Sequence, residues 1–263
     1  MEIHLSAKSE SIVPYESFGP GYVTSLIPQL VNLRYNPAGV AFIVYRRKYS
    51  PKVVREEYNR IFWTGDSVSR DETGSLILTL DDLLLRELTP KSQLLGGALK
   101  LEPSQWEYVK NNKNSLHLSL EEVEEARGKG YVLRNGEFIE ENKSVAKVWD
   151  YLNRGRDIKP YVNLVSDTVV SGGRAVRHYV YKRTINYIKP LVSDLSAITE
   201  EYERGKPIMR LFFNYRKWIL PTLQPLIIDY LRNGSNILPG HLNEDSSILV
   251  GVSSKARRLK RSF

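Results

Sequence analysis

Residues 171–190 read Ser171-Gly-Gly-Arg-Ala-Val-Arg-His-Tyr-Val-Tyr-Lys-Arg-Thr-Ile-Asn-Tyr-Ile-Lys-Pro190, and the predicted class of fold depends on them. At helical spacing the apolar residues of this stretch share one stripe, while most of its cations fall on the other side. The sequence therefore predicts an amphipathic helix with one buried face and one positively charged face.

The same stretch has the composition of a phosphate-binding surface. It holds five cations and no carboxylate, and its two adjacent glycines let the backbone approach a ligand closely. The start of a helix also offers free N–H groups with a partial positive charge. The predicted phosphate-binding residues are Ser171, Gly172 and Gly173. The predicted nucleic-acid-binding residues of this stretch are Arg174, Arg177, His178, Tyr181, Lys182, Arg183 and Lys189.

The net charge of +8 is concentrated in three stretches of the 263 residues. Residues 171–190 and residues 255–263 carry +5 each, residues 44–60 carry +4, and the rest of the chain therefore carries −6. Charge that is segregated in this way favours a polyanionic partner. The remaining predicted nucleic-acid-binding residues are Arg46, Arg47, Lys48, Lys255, Arg257, Arg258, Lys260 and Arg261.

Composition indicates a globular protein, because 41% of the residues are hydrophobic. The absence of cysteine excludes disulfides and thiolate metal sites. No apolar run is long enough to span a membrane, and the first residues lack the pattern of a secretory signal. We therefore expect an intracellular (cytoplasmic) or virion location and no membrane partner.

Residues 1–154 predict a mixed α/β domain that begins with an arm rich in Pro and Gly. Residues 1–38 indicate an arm or irregular strands, not a helix. Residues 39–45 (Gly-Val-Ala-Phe-Ile-Val-Tyr) predict a buried strand. Ser50-Pro51 predicts the start of a helix that ends near Gly65.

Shorter elements follow in the same part of the chain. Residues 66–74 predict a polar loop, residues 75–80 a strand, and residues 81–88 a helix in which Asp81-Asp82 complements the dipole at the start. Residues 103–111 predict another short helix.

The clearest local signals lie between residues 119 and 153. Ser119 and Glu122 have the spacing of a capping box and predict a helix up to Arg127. Asn135-Gly136, the preferred pair for a type I′ turn, predicts a β-hairpin over residues 131–140. A further helix is predicted over residues 144–153. Helix, hairpin and helix together resemble part of a winged-helix domain, but four glutamates on the first helix would repel phosphates.

Residues 155–252 predict a mainly helical, basic domain, and residues 253–263 a cationic tail. Helices are predicted from Lys206-Pro207 and from Thr222, and residues 248–252 predict one short strand. The expected fold class is therefore α+β: a mixed N-terminal part with short strands, a β-hairpin (131–140) and helices, then a mainly helical C-terminal part with a basic tail.

Familiar catalytic motifs are missing from the sequence, so we predict no catalytic residue, no metal and no cofactor. The four histidines, His4, His117, His178 and His241, show no metal-ligand spacing. Glu141-Asn142-Lys143 has the Glu-x-Lys spacing of many metal-dependent nucleases. Its partner carboxylate would have to come from Asp66, Asp71, Asp81 or Asp82.

The leading hypothesis is a non-enzymatic nucleic-acid-binding protein that contacts the phosphate backbone through the basic, tyrosine-containing helix and the cationic tail. Tyr179, Tyr181 and Tyr215 could stack on exposed bases, which slightly favours RNA or single strands over duplex DNA. One alternative is a structural or assembly protein of a virion or ribonucleoprotein particle, which would self-assemble or join a larger complex. A second alternative is a metal-dependent nuclease.

Overall fold

The computed structural model describes residues 15–43, 61–70, 72–134, 137–152, 209–211, 220–228, 236–245 and 248–253. Within these residues thirteen strands form one mixed sheet, with helices on its faces. The strands are β1 (Tyr15–Phe18), β2 (Tyr35–Pro37), β3 (Phe62–Arg70), β4 (Leu76–Thr79), β5 (Leu94–Leu95), β6 (Ala98–Lys100), β7 (Ser115–Leu118), β8 (Gly130–Arg134), β9 (Glu137–Glu140), β10 (Met209–Leu211), β11 (Thr222–Ile228), β12 (Asn236–Pro239) and β13 (Ile248–Ser253). The helices are α1 (Val23–Asn32), α2 (Leu83–Arg86), α3 (Pro103–Asn111), α4 (Leu120–Ala126) and α5 (Lys143–Leu152).

The sheet is organised around β3. Its main path runs β1–β13–β3–β11–β12–β10–β8–β9, and the other strands branch from this path. β3 pairs antiparallel with β11 and β4 and parallel with β13. β1 pairs antiparallel with β13, with Tyr15 opposite Val252, so the first and last described strands lie side by side.

Each face of the sheet carries its own hydrophobic core, because successive residues of a strand point to opposite faces. Phe62 and Val68 of β3 belong to one core cluster, together with Trp149 of α5. Trp63 belongs to the other cluster, which contains Leu30 of α1. The central strand is therefore covered on both sides.

The predictions for residues 61–70 are wrong, because β3 is a nine-residue strand whose residues are all buried. The sequence predicted the end of a helix near Gly65 and then a polar loop. Four of the nine residues of β3 are Thr, Asp or Ser. Prediction from the pattern of hydrophobic residues therefore does not identify β3 as a buried strand. The side chains of Thr64, Asp66 and Ser67 are hydrogen-bonded inside the protein. The Thr64 hydroxyl, for example, donates to the Leu226 carbonyl at 2.8 Å.

Two predictions near the N-terminus are also wrong. Residues 23–32 form helix α1, whose buried residues Val23, Leu26, Ile27 and Leu30 have helical spacing, although Pro28 lies inside it. Residues 40–43 form a helical turn instead of the predicted strand, since the amides of Phe42 and Ile43 donate to the Gly39 carbonyl. Burial of this segment was predicted correctly, but short buried helices and strands share the same composition.

The mainly helical C-terminal part is contradicted, because the described residues of 209–253 include four strands of the sheet, β10 to β13. Residues 222–228 were predicted as a helix, and they form β11, in which all seven residues are buried. A strand that is covered on both faces lacks the alternation of apolar and polar residues that marks a half-exposed strand. Pro225 is tolerated where the pairing of β11 with β3 shifts register.

Of the other predictions for the C-terminal part, one is confirmed, one is wrong and two are not tested. The strand predicted over residues 248–252 is confirmed as β13. The helix predicted from Lys206-Pro207 is replaced at residues 209–211 by β10. The helix predicted over residues 171–190 and the domain boundary between residues 154 and 155 lie outside the described residues and stay predictions.

The elements with strong local signals are confirmed. In the hairpin, Tyr131 lies opposite Glu140 and Arg134 opposite Glu137. Helix α4 begins after Ser119, whose side chain accepts from the Glu122 amide at 3.2 Å in a complete capping box. The predicted helices at residues 103–111 and 144–153 correspond to α3 and α5, and the predicted strand at residues 75–80 to β4. The hairpin pairs with β10 through β8 and so belongs to the large sheet, not to a separate wing.

Candidate functional site

The predicted phosphate- and nucleic-acid-binding residues all lie outside the described residues. They fall in three stretches, residues 44–60, 171–190 and 255–263. The described residues nearest to each stretch in sequence show where the chain enters or leaves the sheet. The site is therefore described through these points of connection.

A row of paired residues crosses five neighbouring strands of the sheet, at or next to the ends of these strands. Ile248 of β13 lies opposite Phe62 of β3, and Phe62 opposite Ile228 of β11. Ile237 of β12 lies opposite Ile228 on one side and opposite Leu211 of β10 on the other. We call this row (Ile248, Phe62, Ile228, Ile237 and Leu211) the entry edge, because three of its strands, β3, β12 and β13, begin at or next to it.

Of the three basic stretches, residues 44–60 join the sheet directly at the entry edge, whereas residues 191–208 separate the stretch 171–190 from β10. Residues 44–60 lead through Ile61 into β3, and the segment that contains residues 171–190 leads into β10. All five residues of the entry edge belong to one core cluster, which also includes Ile43, the last described residue before the basic stretch 44–60.

The third basic stretch leaves from the other end of β13. Ser253, the last residue of β13, lies opposite Tyr35 at the start of β2. The five residue steps from Ile248 to Ser253 span roughly 17 Å at ~3.3 Å per residue. The cationic tail is therefore attached at a different place from the other two basic stretches.

The described part of the chain is acidic, although the whole protein is basic. It contains 13 Lys and Arg residues against 18 Asp and Glu residues, a net charge of −5. Since the whole chain carries +8, the other residues carry +13. Positive charge is thus concentrated in the segments that extend from the described sheet.

Helix α4 carries much of the negative charge, and part of it serves the fold. Glu122 closes the capping box and pairs with Lys147 of α5. Glu125 accepts a hydrogen bond from the Ser144 hydroxyl at 2.5 Å. Glu121 is exposed in the first turn, where a carboxylate complements the helix dipole. Two glutamates of the helix, Glu122 and Glu124, form ion pairs, with Lys147 and Arg127 respectively.

Asp66 is a buried carboxylate that the sequence reading placed in a loop. It is 1% exposed on β3, and its Oδ2 accepts the Val40 amide at 2.6 Å while its Oδ1 accepts the Asp81 amide at 3.0 Å. Gly39 packs so closely that a Cβ there would lie 2.8 Å from Oδ2. Asp66 therefore fixes the helical turn at residues 40–43 to the centre of the sheet.

Asp82 is the N-cap of α2, which agrees with its predicted role at a helix start. It accepts the Leu84 amide at 2.9 Å and a hydrogen bond from the Ser67 hydroxyl. Burial raises the pKa of Asp82, whereas its hydrogen bonds with Ser67 and Leu84 act in the opposite direction. Because the folded state then binds this proton more tightly than the unfolded chain does, Asp82 favours folding more as the pH falls.

Arg70 is a further buried charge that the sequence did not indicate. It is the last residue of β3, it is 3% exposed, and it lies opposite Leu76 on one side and Thr222 on the other. Burial lowers the pKa of Arg70 to about 10. No sequence pattern distinguishes Arg70 from an exposed arginine at the end of a strand, because its burial depends on distant segments.

Of the carboxylates considered for a nuclease site, Glu141, Asp66 and Asp82 have structural roles, and Asp71 lies outside the described residues. Glu141 accepts the Gly130 amide at 2.7 Å and lies 3.8 Å from the Lys129 ammonium group. Asn142 accepts the Val145 amide at 2.8 Å at the start of α5. Four strands of the main path separate β3, which carries Asp66, from β9, which precedes Glu141. In the described part of the chain, no three His, Cys, Asp or Glu side chains form a group that could hold a metal.

Two of the four histidines are described, and they lie in different places. His117 is exposed on β7, and His241 follows β12, where its Nδ1 lies 3.3 Å from the Gly96 carbonyl oxygen. His4 and His178 lie outside the described residues. Among the described helices, none is both long enough and apolar enough to cross a membrane.

Comparison with known proteins identifies the fold and no family. The sequence matches no known protein family and no curated protein. A solved structure described as "Accommodation of massive sequence variation in Nanoarchaeota by the C-type lectin fold" aligns with 92% of this chain and 99% of its own length. The sequence identity is 9% and the TM-score is 0.50. The protein therefore has a C-type lectin-like fold, which replaces the predicted α+β class with its helical C-terminal part.

Proposed function

We propose that the protein is a non-enzymatic nucleic-acid-binding protein in which a C-type lectin-like sheet carries cationic segments that contact the phosphate backbone. One observation carries this proposal: the described residues have a net charge of −5, and the remaining residues have +13. Lys and Arg that neutralise phosphates release condensed counterions, which drives binding to any nucleic acid.

The net negative charge of the described residues affects where on the protein a nucleic acid would bind. The negative potential of these residues repels a polyanion, and at physiological salt the repulsion acts over about 8 Å. A nucleic acid is therefore directed to the three basic stretches, residues 44–60, 171–190 and 255–263. Uniformly distributed positive charge would give no such preference.

The structural neighbour supports the role of the sheet as a scaffold. That protein is described as accommodating massive sequence variation on the C-type lectin fold. In the present chain the described strands pair through their backbones, and the basic stretches lie between or beyond them in sequence. We infer that the sheet is the fixed part of the molecule and that the connecting segments carry its binding function.

RNA or single-stranded nucleic acid is the preferred ligand in this proposal. Tyr179 and Tyr181 alternate with cations in residues 171–190, and every exposed base offers a face on which an aromatic side chain can stack. Duplex DNA would engage the cations alone. The preference for single strands is therefore expected to be modest and to depend on these tyrosines.

A structural role in a virion or ribonucleoprotein particle is the second proposal. Tyr15 lies opposite Val252, so residues 1–14 and the cationic tail connect to the sheet at neighbouring positions. Two arms that leave from the same place can contact one neighbouring molecule. Self-assembly into a defined multimer without nucleic acid, measured by light scattering, would favour this role.

Fluorescence anisotropy tests the leading proposal directly. The protein is titrated against labelled single-stranded RNA, single-stranded DNA and duplex DNA at two salt concentrations, with and without magnesium. We expect binding that weakens steeply with salt and does not require magnesium. Absence of binding at low salt would overturn the proposal, and release of the label only with magnesium would favour the nuclease.

Reversing the charge of Arg174 and Arg177 together is expected to weaken binding to single-stranded RNA at least tenfold. Loss of two neutralised phosphates lowers the slope of log K against log salt by ~1.4, at ~0.7 per phosphate. The matched control reverses Lys91 and Lys113, two exposed lysines of the acidic body, and should leave that slope unchanged. Equal effects of the two double variants would show that net charge alone governs binding.

A further inference from the structure

We propose that Arg70, Thr222 and Lys100 form a binding site for a small oxyanion such as phosphate. The three residues lie side by side on β3, β11 and β6, at the end of β3 and β11 that is opposite the entry edge. All three belong to the described sheet and none to the three basic stretches. The site is therefore additional to the proposed nucleic-acid-binding surface.

Strand pairing brings these residues together from distant parts of the chain. Thr222 lies directly opposite Arg70 on one side and directly opposite Lys100 on the other. Directly opposite residues of antiparallel strands have their side chains on the same face of the sheet, with Cβ atoms roughly 4.5–5.5 Å apart. The Cβ atoms of the two cations are therefore about 10 Å apart, with the Thr222 hydroxyl between them, and two long side chains can close around one anion over that distance.

The face of the sheet that carries these residues is otherwise a hydrophobic core. Val68, two residues before Arg70 on β3, belongs to the core cluster of this face, and so does Leu76, which lies opposite Arg70 on β4. Arg70 is 3% exposed and Thr222 is fully buried. Polar residues at positions that would otherwise be core are characteristic of functional sites.

The Thr222 hydroxyl is the group that points to a ligand. Its Oγ1 is buried and has no hydrogen-bond partner among the described residues. Buried polar groups of proteins are nearly always hydrogen-bonded, so a bound polar atom is expected next to it. The residues on both sides of Thr222 are cations, which favours an anion over a water molecule at this position.

Arg70 supplies a positive charge that is shielded from water. Burial lowers the pKa of Arg70 to about 10, because the interior disfavours the charged guanidinium, and a bound anion would favour it again. Arg70 already makes an interaction of its own. A guanidinium has five N–H donors, so Arg70 can contact an oxyanion in addition.

Lys100 connects the site to solvent. Its side chain is partly exposed, and its ammonium group lies 3.8 Å from the carboxylate of Glu102, which is also exposed. An exposed ion pair of this kind contributes little free energy, so Lys100 can exchange it for a bound anion at little cost. The ion would therefore enter from the side of β6.

The test uses inorganic phosphate and the full chain. Thermal unfolding is measured over a range of phosphate concentrations, with chloride at equal ionic strength and pH as the reference. We expect phosphate to raise the unfolding temperature of the wild-type protein in a saturable way, because it binds the folded state. Thr222→Val removes the hydroxyl and keeps the shape of the side chain, and it should weaken phosphate binding about tenfold. Lys100→Gln should have a similar effect.

Thr79→Val is the matched control. Thr79 is a buried threonine on β4, and its hydroxyl lies 2.8 Å from that of Ser115. Thr79→Val should lower the unfolding temperature in chloride and leave phosphate affinity unchanged. Thr222→Val should not lower the unfolding temperature in chloride, since it removes a buried hydroxyl that has no partner in the described part of the chain.

Two results would overturn the proposal. One is that phosphate has no effect on the wild-type protein beyond that of chloride. The other is that the wild-type, Thr222→Val and Lys100→Gln proteins bind phosphate equally well, which would place the phosphate outside this site.

Titration with labelled single-stranded RNA identifies the source of the phosphate. If Thr222→Val weakens phosphate binding and leaves RNA binding unchanged, the ligand is a free small anion. If it weakens both, the site holds a phosphate group of the nucleic acid. The phosphate measurement does not depend on RNA binding, so failure of the proposed function would leave this inference standing.

Discussion

Deleting residues 255–263 is expected to lower the affinity for single-stranded RNA on the order of a hundredfold at low salt. The tail contributes five of the 38 Lys and Arg residues and extends from β13, apart from the entry edge. Removing five phosphate neutralisations should lower the slope of log K against log salt by ~3.5 for single strands. Anisotropy titrations at four or more salt concentrations measure both quantities.

A second tail variant separates charge from chain length. Replacing the five cations of the tail with glutamine keeps all nine residues and should reproduce the effect of the deletion. If the glutamine variant binds like the wild-type protein while the deletion does not, the tail acts through its length or its apolar residues. An unchanged slope in both variants would remove the tail from the proposed binding surface.

Replacing Trp63 with alanine is expected to lower the free energy of unfolding by about 3–5 kcal/mol, the usual cost of truncating a large buried aromatic side chain. Trp63 is 0% exposed on β3 and lies opposite Ile227 of β11. The fit is so close that a Cβ on Gly240 would lie 2.9 Å from its ring. Chemical denaturation followed by circular dichroism measures the change.

Two control variants test the physical reason for this loss. Trp63→Phe should cost clearly less, because it keeps most of the apolar ring and removes an indole N–H that has no hydrogen-bond partner. Trp106→Ala, on the partly exposed face of α3, should cost about 1–2 kcal/mol, since less apolar surface is lost. If Trp63→Ala is no more damaging than Trp106→Ala, the core on this face of the sheet is not packed as described.

The elements that were predicted correctly depend on contacts between residues close in sequence. The capping box joins Ser119 and Glu122, and the hairpin pairs Arg134 with Glu137, the residues on either side of Asn-Gly in the sequence. The charge segregation is also a property of the sequence alone. Such signals involve only a few residues that are close in sequence. The local structure that they predict therefore does not depend on the tertiary fold.

The elements that were missed depend on residues far apart in sequence. Thr64 bonds to the carbonyl of Leu226, 162 residues away, and this pairing of β3 with β11 makes both strands central and buried. The apolar run at residues 222–228 fits a helix or a buried strand equally well until its neighbours are known. The same applies to Asp66, whose partners Val40 and Asp81 come from two other segments.

The sequence by itself therefore determined the locally capped helices, the hairpin and the three basic stretches. Only the tertiary structure decided that the described strands form one large sheet, that β3 with its polar residues lies at its centre, and that the basic stretch 44–60 joins it at the entry edge. The physical reason is that strand pairing places residues side by side without regard to their separation along the chain, whereas propensity and capping act within a few residues.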